Sequence, residues 1–133
     1  MKTKERIILL FIAVTMFAGF FASLHIRWAR SNGVVEGYSA DAFGSDDPII
    51  CEQMALILYR YAKFHEIDVA NTNTLAGFTD VNKVSAWALD AVKWANEAGL
   101  MQGRTTTTLV PEESITRAEA ATMVQRFCEE VAK

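Results

Sequence analysis

Arg117 is the residue of this chain best placed to meet a ligand. It is the third residue of Ile115-Thr-Arg-Ala-Glu119, where a stretch that reads as a helix begins. A guanidinium can meet a planar anion with two parallel N–H···O bonds. A helix start adds free backbone N–H groups and a dipole that both favour negative charge. The competing role for Arg117 is a surface ion pair with Glu113 or Asp80. Thr116-x-x-Glu119 reads as a capping box, in which the hydroxyl and the carboxylate each satisfy a backbone N–H of the other residue. Gly103 reads as a position that needs a backbone angle only glycine adopts freely. Trp87 offers a flat apolar face, for stacking or for packing.

Other chemistry finds no support in the residues. His25 and His65 each stand without a second ligand at helical or loop spacing, so no metal site and no cofactor are expected. Neither G-x-S-x-G nor G-x-x-x-x-G-K occurs. The acidic stretch Asp41–Asp47 lacks the residue order and closing glutamate of a calcium loop. Cys51 and Cys128 are not spaced for zinc and read as small buried residues rather than a bridge. No enzymatic activity is expected.

The formal net charge is −3. Setting aside Lys2, Lys4, Arg6 and Glu5 leaves 10 basic against 15 acidic residues. Nucleic acid is therefore not an expected partner, and any anion must be held by local geometry rather than by long-range attraction.

The elements that position Arg117 follow from an internal repeat. The chain matches itself without a gap at an offset of 66 residues: Trp28-Ala29 returns as Trp94-Ala95, Gly33 as Gly99, Gly37 as Gly103, Ile49 as Ile115, Ala55 as Ala121 and Arg60 as Arg126. Such repetition signals stacked units that bury their apolar faces against one another. In the second copy the spacing of Ala88, Ala91, Val92, Ala95 and Ala98 predicts a helix over 85–98, with Ser85 as N-cap, Gly99 as the residue after its end and Leu100 packing behind. A final helix is predicted over 117–131, burying Ala120, Ala121, Val124, Phe127, Cys128 and Val131. In the first copy one helix ends at Gly33. Another runs over 50–65, with Met54, Ala55, Leu58, Tyr61 and Ala62 inward. The segment 68–75 is polar and irregular, and no strand pattern occurs.

Residues 7–24 carry no charge and follow a basic start, the pattern of an export signal. As a helix the run would be ~27 Å long, just short of a ~30 Å hydrocarbon core. The pairs of small residues that a signal peptidase needs are missing around Ala18 and Ala22. The favoured reading is therefore an exported chain whose anchor is retained in the membrane. A cleaved signal and a buried helix are the alternatives.

Phe78-Thr-Asp80-Val81, Trp87-Ala88, Gly99-Leu-Met-Gln-Gly103, Leu109-Val-Pro111 and Ile115-Thr-Arg-Ala-Glu119 together resemble the S-layer homology domain. The resemblance covers about residues 75–131, and residues 21–64 match as a degenerate copy. It implies an all-α fold of helix-loop-helix repeats, here preceded by a hydrophobic helix. The layout expected is a signal or anchor over 1–24, a degenerate repeat over 25–66, a linker over 67–74 and a complete repeat over 75–133. It implies a non-catalytic module of the bacterial cell envelope that binds an anionic, commonly pyruvylated, secondary wall polysaccharide. The glycan contacts expected are Arg117, with Trp87 stacking on a sugar, Glu119 and Gly103.

Three departures from the family pattern bear on that expectation. The family arginine is Cys51 in the first copy and the capping threonine is Ile50, so a site there should be lost or weak. The first copy also lacks the Phe-x-Asp-Val opening. Only two repeats are present where the family usually has three, so the alternatives to glycan binding are a structural module that assembles with a second copy of this chain or another S-layer homology protein, and a truncated fragment without glycan binding.

Overall fold

The computed structural model describes residues 20–37 and 47–132. Most of the apolar run, residues 7–19, and most of the acidic stretch 41–47 lie outside the described residues. The fold is all-α. Helix α1 spans Phe20–Ser31 and α2 spans Cys51–Phe64. Two 3₁₀ turns, Val81–Lys83 and Ala86–Ala88, lead into α3, Leu89–Glu97. Helix α4 spans Arg117–Arg126 and continues as a π-helical turn, Phe127–Val131. No strand occurs among the described residues, where an antiparallel bridge joins Ile50 to Ser114. None of the described helices is long and apolar enough to cross a membrane.

The 66-residue offset reappears in backbone detail. Gly33 and Gly99 both take positive φ, at 73° and 78°, and so do Gly37 and Gly103. The Val34 N–H donates to the Ala29 carbonyl and the Leu100 N–H to the Ala95 carbonyl, both at 2.8 Å. These are the closing bonds of a left-handed helix end, which satisfy carbonyls the helix cannot. Val34 and Leu100 follow into the core.

The core lies where α2 packs on α3. Ala55, Leu58 and Ala62 of α2 are buried in one core with Ala88 of the 3₁₀ turn and Ala91, Val92 and Ala95 of α3, and small side chains of this kind let helices approach closely. Tyr61 and Trp94 both meet the Phe127 ring edge-on, with centroids 6.0 and 6.4 Å apart. All five residues predicted to face inward from α2 are buried.

Three expectations need correction. The predicted helix over 85–98 begins as a 3₁₀ turn, and Ser85 does not cap it with its own oxygen. The Ser85 N–H and hydroxyl both donate to Glu52, at 2.9 and 2.7 Å, so the capping carboxylate comes from α2. On α4, Ala121 is exposed and Val124 half-buried, while Met123 is buried in their place. Ala120, Met123 and Phe127 keep helical spacing on a stripe turned from the predicted one, and the helix ends in a π turn from Phe127, where Phe127 and Cys128 are buried as predicted.

Asp80 holds the loop ahead of α4. Its buried carboxylate accepts from the Leu109 N–H at 2.9 Å and the Val110 N–H at 2.8 Å. Val110 has φ of +50°, costly for a β-branched residue, and persists because its neighbours over-determine it. Leu109 on one side and Pro111 on the other are thereby placed in the core. Burial alone would raise the Asp80 carboxyl, but the two N–H groups, with Lys83 nearby, hold it below the ordinary value of 3.8. A depressed folded-state value means that Asp80 contributes in full above 3.8, and that the contribution is withdrawn as pH falls from there towards the folded value. Asp80→Ala should lower stability by about 2–3 kcal/mol at neutral pH. Urea unfolding followed by tryptophan fluorescence should also show the difference from the parent shrinking in acid. A pH-independent difference would remove the carboxylate from the explanation.

Candidate functional site

The two helix starts at Cys51 and Arg117 occupy equivalent places in the repeat but are treated differently. At α4 the reciprocal cap forms as the sequence predicts: the Glu119 N–H donates to the Thr116 hydroxyl at 3.1 Å and the Thr116 N–H to the Glu119 carboxylate at 3.2 Å. At α2, Ile50 has no side-chain oxygen, and the cap is one-sided, with the Ile50 N–H donating to Gln53 at 3.0 Å. The N–H groups left over in the first turn of α2 go to the other half of the chain. Cys51 donates to the Glu113 carbonyl at 3.0 Å and Glu52 to the Pro111 carbonyl at 3.2 Å, while the Ile115 N–H returns a bond to the Ile49 carbonyl at 2.9 Å. The α2 start is therefore closed at its first positions, the Ile50, Cys51 and Glu52 N–H groups each bonded within the fold.

The α4 start is open. Among the described residues the N–H groups of Arg117 and Ala118 have no acceptor, and the exposed Arg117 side chain makes no hydrogen bond or ion pair. The surface ion pairs foreseen as its alternative role are absent there: Asp80 serves Leu109 and Val110, and Glu113 is taken by another arginine.

That arginine, Arg104, is the part of the site that sequence reasoning missed. Its guanidinium pairs with Glu113 at 3.2 Å and with Glu119 at 2.5 Å, and donates to the Ser114 carbonyl at 3.1 Å. It neutralises both carboxylates that flank the α4 start and so leaves the field of Arg117 and the helix dipole uncancelled. It also lies against Cys51. Burial pushes the Cys51 thiol above its ordinary value, with Arg104 pulling in the opposite direction. Cys51 and Cys128 are both buried and are not joined in a disulfide. No signal marked Arg104 in advance: its partner at the repeat offset is Tyr38, and no periodicity passes through the threonine-rich loop.

The remaining sequence candidates are placed as follows. Trp87 sits on the 3₁₀ turn ahead of α3 and is 55% exposed, so it is not a core residue. That turn begins at Ser85, which Glu52 holds, next in the chain to Cys51 under Arg104. Trp94 is buried, while Trp28 is half-exposed and meets Phe64 edge-on. Glu119 serves the cap and Arg104. Gly103 has φ of +89°, and a Cβ there would lie 2.7 Å from the Thr108 carbonyl oxygen and 2.9 Å from the Phe78 ring. No group of three His, Cys, Asp or Glu residues able to hold a metal ion occurs among the described residues.

Gly103→Ala should therefore cost about 1–3 kcal/mol through strain and overlap. Gly99→Ala, with φ of +78° but open space around the new methyl, should cost about 1 kcal/mol. Urea midpoints of the two variants check the order. Equal costs would mean that the threonine loop yields and that Gly103 does not fix it.

The sequence is similar to known proteins. The S-layer homology domain family matches residues 77–121, from the residue before Phe78 into the second turn of α4. The chain is 33% identical over 99 residues to a cellulosome-anchoring protein of Acetivibrio thermocellus, covering 74% of this chain and 22% of that protein. It is 28% identical over 112 residues to an endoglucanase of a Bacillus species, covering 84% of this chain and 12% of that one. The chain thus spans less than a quarter of either relative. No solved structure gives a significant match.

Proposed function

Residues 77–121 belong to the S-layer homology family, and from that premise we propose that this chain is a non-catalytic anchoring module of the bacterial cell envelope. It binds an anionic, pyruvylated secondary wall polysaccharide at the α4 start. The observation that carries this reading is the open helix start itself, with two unshared N–H groups beside an exposed, unpaired Arg117 and the neighbouring carboxylates already neutralised by Arg104. A ketal carboxylate is planar and would take the two parallel bonds of the guanidinium while resting at the positive end of the helix. Trp87 would stack on a sugar ring. Gly103 and Glu119 act indirectly, by fixing the loop and the cap. The name of the Acetivibrio relative, an anchoring protein, agrees with the role.

In this reading the chain is exported through residues 1–24, with 7–24 retained in the membrane. Residues 25–66 are a degenerate repeat without a glycan site, 67–74 a linker and 75–133 the working repeat. Cys51, buried under Arg104 at the place of the family arginine, takes no part in binding.

A second reading rests on a different observation. Glu52 and Ala55 of α2 are buried, whereas their equivalents Ala118 and Ala121 on α4 are exposed. That face could receive a second copy of this chain or another S-layer homology protein. A chain that elutes and scatters light as a monomer would count against it.

The wall-binding reading is tested by co-sedimentation with bacterial sacculi, before and after the secondary polysaccharide is stripped. Binding should depend on the polysaccharide, and Arg117→Ala should weaken it roughly tenfold or more while unfolding as the parent does. Equal binding by the variant would remove Arg117 from the site, and binding that survives stripping would remove the polysaccharide.

A further inference from the structure

Among the described residues the large exposed hydrophobic side chains are Trp28, Phe64 and Trp87. Trp87 belongs to the glycan site, but the other two are unexplained by it. They come from different helices, 36 positions apart in the chain, and stack edge-on with centroids 5.6 Å apart and an interplanar angle of 84°. Trp28 remains 39% exposed and Phe64 41%. His65 closes the patch, its ring 5.1 Å from Phe64 and 4.6 Å from Tyr61.

Two observations say what covers the pair. The first is position. Helix α1 begins at Phe20, inside the uncharged run that ends at Leu24, and carries on without a break to Ser31. Trp28 is four residues past the end of that run, about 6 Å further along the axis. The Trp28–Phe64 contact brings the end of α2 to the same level. The second is charge. Arg27, Arg30 and Lys63 all lie within two residues of one ring or the other, and Glu66 is the one acid that does. Lys63 is exposed, with its ammonium 5.3 Å from the centre of the Tyr59 ring. Amphipathic aromatic residues flanked by basic ones favour the headgroup layer, where the rings displace water and the cations meet anionic lipid.

We propose that Trp28 and Phe64 form a docking patch for the membrane surface, seating the helical domain on an anionic lipid leaflet at the outer end of its anchor. The proposal rests on the reading of residues 7–24 as a retained anchor. It adds that the domain lies down on the bilayer rather than hanging free, which fixes the height and orientation of the α4 start relative to the wall.

The test uses the full chain reconstituted into vesicles of phosphatidylcholine and phosphatidylglycerol with brominated acyl chains, which quench nearby indoles. Trp94, buried in the core, is kept throughout as a constant background. One variant combines Trp28→Phe, Trp87→Phe and Phe64→Trp, so that the reporter sits 40 residues from the anchor in sequence; another carries Trp28→Phe alone and reports on Trp87. The expected result is that both float with the vesicles and that bromine removes emission from the position-64 reporter but not from Trp87. Flotation without loss at position 64, or with equal loss at both positions, would overturn the docking patch and leave the anchor standing. Failure to float would overturn both.

Discussion

The buried carboxylate of Glu52 is the contact on which the arrangement of the two halves depends. Only 2% exposed, it accepts the N–H and hydroxyl of Ser85. Burying a carboxylate is costly unless its oxygens are satisfied, and here both are. One side chain thereby fixes the start of α2 against the start of the 3₁₀ turn that leads into α3. The backbone bonds from Cys51 and Glu52 to the 111–113 segment complete the junction. The α2 start then lies against protein, where the Cys51 and Glu52 N–H groups find their acceptors. The equivalent position in the second half is Ala118, with no carboxylate and an exposed side chain. The repeat thus carries one sealed helix start and one open one, and the open one bears Arg117.

Much of this was legible in the sequence because it depends on local chemistry. The cap at Thr116 and Glu119, the left-handed glycines at the ends of α1 and α3, and the inward face of α2 are each set by residues within a turn or two of one another. Long-range contacts were less legible. Ser85 looked like a cap because serine commonly is one, but Glu52, 33 residues earlier, holds the helix start and turns the hydroxyl into a donor. Asp80 was a motif residue whose task, holding Val110 at positive φ, lies 30 residues away. Arg104 gave no signal because its meaning depends on two glutamates and a thiol assembled by folding. Ala121 and Met123 exchanged roles because the buried face of α4 follows Ala120, Met123 and Phe127, a helical stripe turned from the one predicted.

These features bear on function through one electrostatic arrangement. A helix start with glutamates at 113 and 119 would repel an anion if nothing countered them. Arg104 pairs with both, and the exposed Arg117 side chain makes no ion pair. On the proposed reading an acidic chain binds an acidic polymer through geometry close to the site, with no help from its overall charge. Asp80 and Gly103 matter because they hold the loop that carries Arg104.

The most direct test of this account is calorimetric titration of the chain with purified wall polysaccharide, before and after mild acid removes the pyruvyl ketal. The account predicts binding to the ketal-bearing polymer and its loss when the carboxylate is removed. Unchanged binding to the ketal-free polymer would contradict it, since the open helix start and Arg117 would then not be reading an anion.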